Sequence, residues 1–166
     1  MAPFIKPIIL DNDVLSRLHS VGVVSQVLGA FPEGSFYISH YVIEEAKRWR
    51  GKGPKLVAII QDLEKKGIVT LISINDASED EIWAYAQLQL EKKLGKGESA
   101  SIAIASQRGF DIATDDAVAI DICHRLYHYV NVFGTGTLLN SAVEDGLLTR
   151  IEADSIQARI RRSHKS

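Results

Sequence analysis

Short apolar runs that alternate with longer segments of helical period predict an α/β fold: a doubly wound, mostly parallel sheet flanked by helices, in three layers. Glycines stand where several helical periods stop, at Gly67, Gly95, Gly109 and Gly146, as helix C-termini favour. The 166 residues, 46% of them hydrophobic, suit a single core. The expected organisation is one domain over residues 1–150, followed by a C-terminal helix and basic tail over 151–166.

In chain order, the strand candidates are "PIIL", "SFYIS", "IVTLISI", "DIAT" and "VNVFG". Helical periods fill the gaps: one starting near Asp13, one from Tyr41 to about Trp49, and one through "PKLVAIIQDLEKKG". Further periods run through "EDEIWAYAQLQLEKKLG", "GESASIAIASQRG", "DAVAIDICHRL" and "GTLLNSAVEDG". After the last helix, "EADSIQARI", the basic "ARIRRSHKS" is expected to fray.

Composition narrows the class. Lys plus Arg number 19 against 21 Asp plus Glu, a net charge of −2, so any nucleic-acid contact rests on local patches. "MAPFIKPIILD" is too short, and too interrupted by Pro3, Lys6 and Pro7, for a signal peptide; no apolar run approaches a membrane span, and a cytoplasmic protein is expected. The single cysteine, Cys123, shares a helix face with Ala119, Ile122 and Leu126 and is expected in the core.

In a sheet of this class, ligands gather at the carboxyl ends of the strands. Acids recur at those ends: Asp11 and Asp13 after "IIL", Asp115 and Asp116 after "DIAT", Glu44 and Glu45 on the helix after "SFYIS", and Glu98 just after Gly97. Each has an ordinary structural role open to it, as a helix cap, a first-turn acid or a solvated face. Together they repel one another unless a cation joins them. Oxygen ligands alone suit Mg²⁺ or Mn²⁺ rather than zinc. Zinc lacks a Cys pair, and His124 with His128 lacks the Glu of a metalloprotease motif.

A hard ion held by acids suits phosphodiester cleavage, because it lowers the pKa of a bound water and stabilises the leaving oxygen. The flanking basic stretches agree with such a substrate: "KRWRGKGPK" carries Lys47, Arg48, Arg50, Lys52 and Lys55 around Trp49, and "EKKLGKGES" carries Lys92, Lys93 and Lys96. Trp49 either stacks on an unpaired base or packs on the core.

The ordered set "IILDNDVLSRL", "ISHYVIEEA", "GKGESASIAIA", "IATDDAVAI" and "VNVFGTGTLLNSAVEDGLL" resembles the PIN-domain nucleases, the group that includes the VapC-type toxins of prokaryotic toxin–antitoxin pairs. "GTGTLL", "EDGLL" and Glu98, where many relatives carry Asp, look most like its predicted nucleic-acid-binding branch. The resemblance runs from Pro7 to about Leu148. It implies a PIN-like sandwich with an acidic pocket for Mg²⁺ or Mn²⁺, and endoribonuclease action.

Carried over, the resemblance makes Asp11, Glu45, Glu98 and Asp116 the catalytic acids and metal ligands. Glu44 is the alternative to Glu45, and Asp115 is a further ligand. Asn12, Ser39, Thr114, Lys47, Arg48, Arg50 and Lys96 would contact substrate. Asn12 stands where the family commonly has Thr or Ser, and Asp13 is an extra acid; Asn12 or Asp13 would cap the first helix.

The implied partners are RNA, a cognate antitoxin and a second copy of the chain, with the amphipathic face of Leu56, Ile59, Ile60 and Leu63 offered either to a partner or to the core. Arg159, Arg161, Arg162 and Lys165 form either a solvated tail or an RNA contact. Two other functions compete. "ILDNDVL" also resembles the aspartate motif of haloacid-dehalogenase-type phosphatases, with Asp115 and Asp116 as the later pair and Ser39 as phosphate binder. A non-catalytic module binding RNA or protein is the other.

Overall fold

The computed structural model describes residues 6–73, 76–90 and 94–164. The chain runs β1 (Ile8–Leu10), α1 (Asn12–Ser20), α2 (Val24–Leu28), β2 (Phe36–Ser39), α3 (His40–Lys47), α4 (Gly53–Lys65), β3 (Val69–Ile72), α5 (Glu79–Gln89), α6 (Lys96–Arg108), β4 (Asp111–Ala113), α7 (Ala117–Leu126), β5 (Val132–Phe133), α8 (Thr135–Glu144) and α9 (Arg150–His164). The strands form one sheet in the order β3-β2-β1-β4-β5. Every pairing is parallel, with Ile8 opposite both Phe36 and Asp111. The doubly wound, three-layer α/β architecture expected from the sequence is the one observed.

The pleat explains the layers. Successive side chains of a strand point to opposite faces, so Ile8 and Leu10 enter one core with Phe36, Ile38 and the buried faces of α1, α4, α8 and α9. Ile9 enters the other with Ile112 and the buried residues of α5, α6 and α7. The chain winds outward from β1 to β2 and β3, then crosses back to β4 and β5. The reversal falls at the carboxyl ends of β1 and β4, the position where such sheets bind ligands.

Several local expectations are corrected. Gly95 opens α6 as its N-cap with φ −76° instead of ending α5, which stops at Gln89. Gly109 does close α6, at φ 70°, a left-handed position that suits glycine. A separate helix, α2, was not anticipated: its five residues are too few to display a period. The basic tail is helical as far as His164, because Ala153, Ile156 and Ile160 seat α9 in the first core. Leu56, Ile60 and Leu63 of α4 are buried in that core as well, which settles their face as interior and removes it as a partner surface. Trp49 is partly buried against the same core, 5.9 Å from the His19 ring, in line with the core-packing alternative. Cys123 is buried as expected. His124 stands in the last turn of α7, whereas His128 lies beyond its end, so the two do not share one helix face. Among the described residues no helix is long and apolar enough to cross a membrane.

Candidate active site

The crevice between β1 and β4 is built from the residues that end those strands. Asp11 leaves β1 with its backbone N–H donating to the Ala113 carbonyl of β4 at 3.0 Å. Its side chain then caps α1, Oδ1 accepting the Asn12 N–H at 2.9 Å. The expected cap at Asn12 or Asp13 therefore falls on Asp11 itself. Asp11 is only 3% exposed.

Thr114, fully buried at the end of β4, ties the two strands together. Its hydroxyl donates to Asp11 Oδ2 at 3.1 Å and accepts the Asp116 N–H at 3.2 Å. Asp116 caps α7 by accepting the Ala119 N–H at 2.9 Å. The extra acid, Asp13, accepts the Asp115 N–H at 2.8 Å and so pins the loop after β4 to α1. Asp115 is committed elsewhere: Arg17 lies 2.8 Å from Oδ2, and the Thr135 N–H and hydroxyl donate to Oδ1 and Oδ2. Sequence reasoning missed Arg17 and Thr135, since nothing local marks residues so far apart as partners of one carboxylate.

The other wall comes from α3 and α6. Glu45 Oε1 accepts the Gly97 N–H at 3.3 Å. A Cβ on Gly97 would stand 2.8 Å from that same oxygen, which explains a glycine directly before Glu98. The two neighbours differ in their contacts: Glu45 faces the start of α6, while Glu44 is engaged with Lys47 at 3.1 Å on the surface. Lys47 holds the Glu44 carboxyl below its ordinary range.

The acids feel one another. Burial, followed by the charges of Asp13 and Glu98, pushes Asp11 up to about 8 against its hydrogen bonds from Asn12 and Thr114. Burial also raises Glu98 to about 7, helped by Asp116, Asp13 and Glu45. Asp13 and Glu45 are raised chiefly by burial. This is the behaviour of carboxylates on which burial and neighbouring like charge act together.

The donors fit Mg²⁺ or Mn²⁺ in chemistry, being oxygens throughout. Glu98 Oε2 and Asn12 Oδ1 are buried with no hydrogen-bond partner among the described residues, a costly condition that an ion or water relieves. Among the described residues, no three His, Cys, Asp or Glu side chains are grouped as they stand so that they could hold one ion.

The residues expected to touch substrate divide by exposure. Ser39 and Thr114 are 2% and 0% exposed; Ser39 caps α3, its hydroxyl accepting the Val42 N–H at 3.3 Å. Lys47, Arg48, Arg50 and Lys96 are exposed. Lys92 and Lys93 lie outside the described residues. A cleft of about 380 Å³ beside Glu45 is lined by His40, Tyr41, Glu44, Glu45, Arg48 and Lys96.

Fold and site together define a doubly wound α/β domain with an acidic crevice at its switch point. The chain belongs to the PIN-domain family: a family profile described as "PIN domain" matches residues 7–162. Among solved structures, FitAB bound to an IR36 DNA fragment is similar, with 19% identity, a TM-score of 0.50 and coverage of 77% of this chain and 94% of that one. FitAcB from Neisseria gonorrhoeae is similar at 21% identity and TM-score 0.47, with coverage of 77% and 97%. No curated protein matches the chain.

Proposed function

We propose that the chain is a metal-dependent endoribonuclease that hydrolyses RNA phosphodiesters and acts as the toxin of a toxin–antitoxin pair. Membership of the PIN family supports a nuclease. The observation that carries the finer reading is the gathering of buried Asp11 and partly buried Asp13, Glu98 and Asp116, with Thr114 joining Asp11 to Asp116, around a Glu98 oxygen that has no hydrogen-bond partner among the described residues, an arrangement that destabilises a protein unless it meets a cation.

Asp11, Glu98 and Asp116 would hold Mg²⁺ or Mn²⁺, with Glu45 beside them. The ion, when bound, supplies positive charge to the phosphodiester and acidifies the attacking water. Thr114 keeps Asp11 Oδ2 oriented. Glu45 Oε1 is fixed by the Gly97 N–H, which leaves Oε2 to take up the water's proton. Lys47, Arg48, Arg50 and Lys96 attract the RNA phosphates. Asp115, with Arg17 and Thr135 on its oxygens, serves as a brace for this centre instead of a ligand.

The phosphatase alternative requires Asp11 as a free nucleophile, yet its carboxylate is buried as a helix cap and bonded to Thr114. Family membership also turns against it. Incubating the protein with a structured RNA and with a small phosphomonoester, each with Mn²⁺ or EDTA, tests the reading. Metal-dependent RNA cleavage that disappears in Asp11→Asn supports it; phosphomonoester turnover alone overturns it, and binding without cleavage supports the non-catalytic module. Growth arrest on expression, relieved by a co-expressed small partner protein, tests the toxin role, and sedimentation equilibrium tests self-association.

A further inference from the structure

The cleft beside Glu45 combines three chemistries that a nucleotide requires. Its aromatic wall is Tyr41, half-buried and stacked on Tyr85 with ring centroids 5.5 Å apart and planes 4° from parallel. That contact holds the Tyr41 ring in one orientation. The His40 ring lies 6.3 Å away. Its cationic walls are Arg48, at the C-terminal end of α3, and Lys96, in the first turn of α6. Among the described residues neither cation is in an ion pair, whereas neighbouring Lys47 is engaged by Glu44. Its inner wall is Glu45, already linked to the acidic centre through Gly97. The volume of about 380 Å³ falls within the roughly 300–1,000 Å³ of small-ligand sites. The other aromatic of this region, Trp49, is packed on the core with the Lys52 ammonium 5.8 Å from its ring centroid.

We infer that this cleft is a nucleotide subsite, in which an unpaired base stacks on Tyr41 beside His40 while its phosphate is held by Arg48 and Lys96. The inference rests on the nuclease reading for its substrate and assigns recognition of an unpaired base to Tyr41. A base inside a duplex is paired and stacked, so it offers no free face to Tyr41, whereas a loop or end does. Glu45 stands between subsite and acids, so a strand seated here passes its next phosphodiester towards them.

The test uses the full chain with Ca²⁺ and a short RNA carrying 2-aminopurine, single-stranded or annealed. Single-stranded RNA is expected to bind more tightly than the duplex and to lose 2-aminopurine fluorescence on binding. Tyr41→Ala should weaken binding roughly 5- to 150-fold, the loss of one stacked base, and abolish the quenching. Tyr41→Phe, which retains the ring, should preserve both, and an unchanged melting temperature in Tyr41→Ala confirms folding. Equal affinity for both strands, or quenching that survives Tyr41→Ala, overturns the subsite. If the unaltered protein still cleaves RNA with Mn²⁺ under that result, the nuclease reading stands without it. Tyr41-dependent quenching with no cleavage in Mn²⁺ upholds the subsite and overturns the nuclease reading.

Discussion

Thr114 and Asp11, 103 positions apart in the chain, share a 3.1 Å hydrogen bond between hydroxyl and carboxylate. The same hydroxyl accepts the Asp116 N–H, so one side chain sets two of the proposed ligands. Thr114→Val keeps the shape and removes both bonds. RNA cleavage is expected to fall by about 10- to 100-fold, as when the support of a metal ligand is lost. Stability should fall by about 1–3 kcal/mol for the groups left unpaired. Steady-state kinetics and urea unfolding read the two effects separately.

Glu98→Gln is expected to separate function from stability. Cleavage should drop at least about 100-fold with loss of a ligand. The metal-free protein should nonetheless melt higher, since one of the repelling charges is gone, by about 2–4 °C for each kcal/mol relieved. Calorimetry in EDTA decides it; a lower melting temperature would mean that the acids do not repel.

The raised acids fix a sign for pH dependence. Asp11 titrates ordinarily at 3.8 and is pushed to about 8 in the fold, so across that interval the native state binds the extra proton. Its stabilising effect is full below pH 3.8 and is lost as pH rises through about 8. Glu98, raised to about 7, acts in the same direction. Metal-free protein should therefore lose stability between about pH 4 and 8, and Mn²⁺ should restore more at pH 8 than at pH 5. Thermal melts at both pH values, with and without EDTA, give the comparison.

Gly97→Ala adds a methyl group 2.8 Å from Glu45 Oε1. Alanine favours a helix by about 1 kcal/mol over glycine, so α6 itself should not suffer. The expected result is reduced cleavage from a displaced Glu45, with a melting temperature changed by only a few degrees. Unchanged cleavage would remove Glu45 from the proposed centre.

The strand ends and their acids were legible in the sequence because a buried parallel strand is a short apolar run, and a carboxylate just beyond it has few reasons to be there. What stayed hidden was decided by packing at a distance. Glu44 and Glu45 are neighbours on a helix, and only the approach of Gly97 separates them. Asp115 looks like Asp116 in the sequence; its role depends on Arg17 and on the start of α8. Trp49 sits among lysines and arginines, so its partial burial follows from the core beneath and not from its neighbours in the chain. Tyr41 carried no signal at all, because its meaning comes from Tyr85, which a separate helix brings beside it.

The helix that begins at Asp11 rests on α9, where Arg159 donates to the Val21 carbonyl and Gln26 meets Glu152 at 3.3 Å. Every one of the acids lies before Leu148 in the chain, yet the helix that Asp11 caps is seated in part by α9, which carries none of them. The acidic cluster therefore depends on a segment outside it, and a change in α9 reaches Asp11 through packing alone.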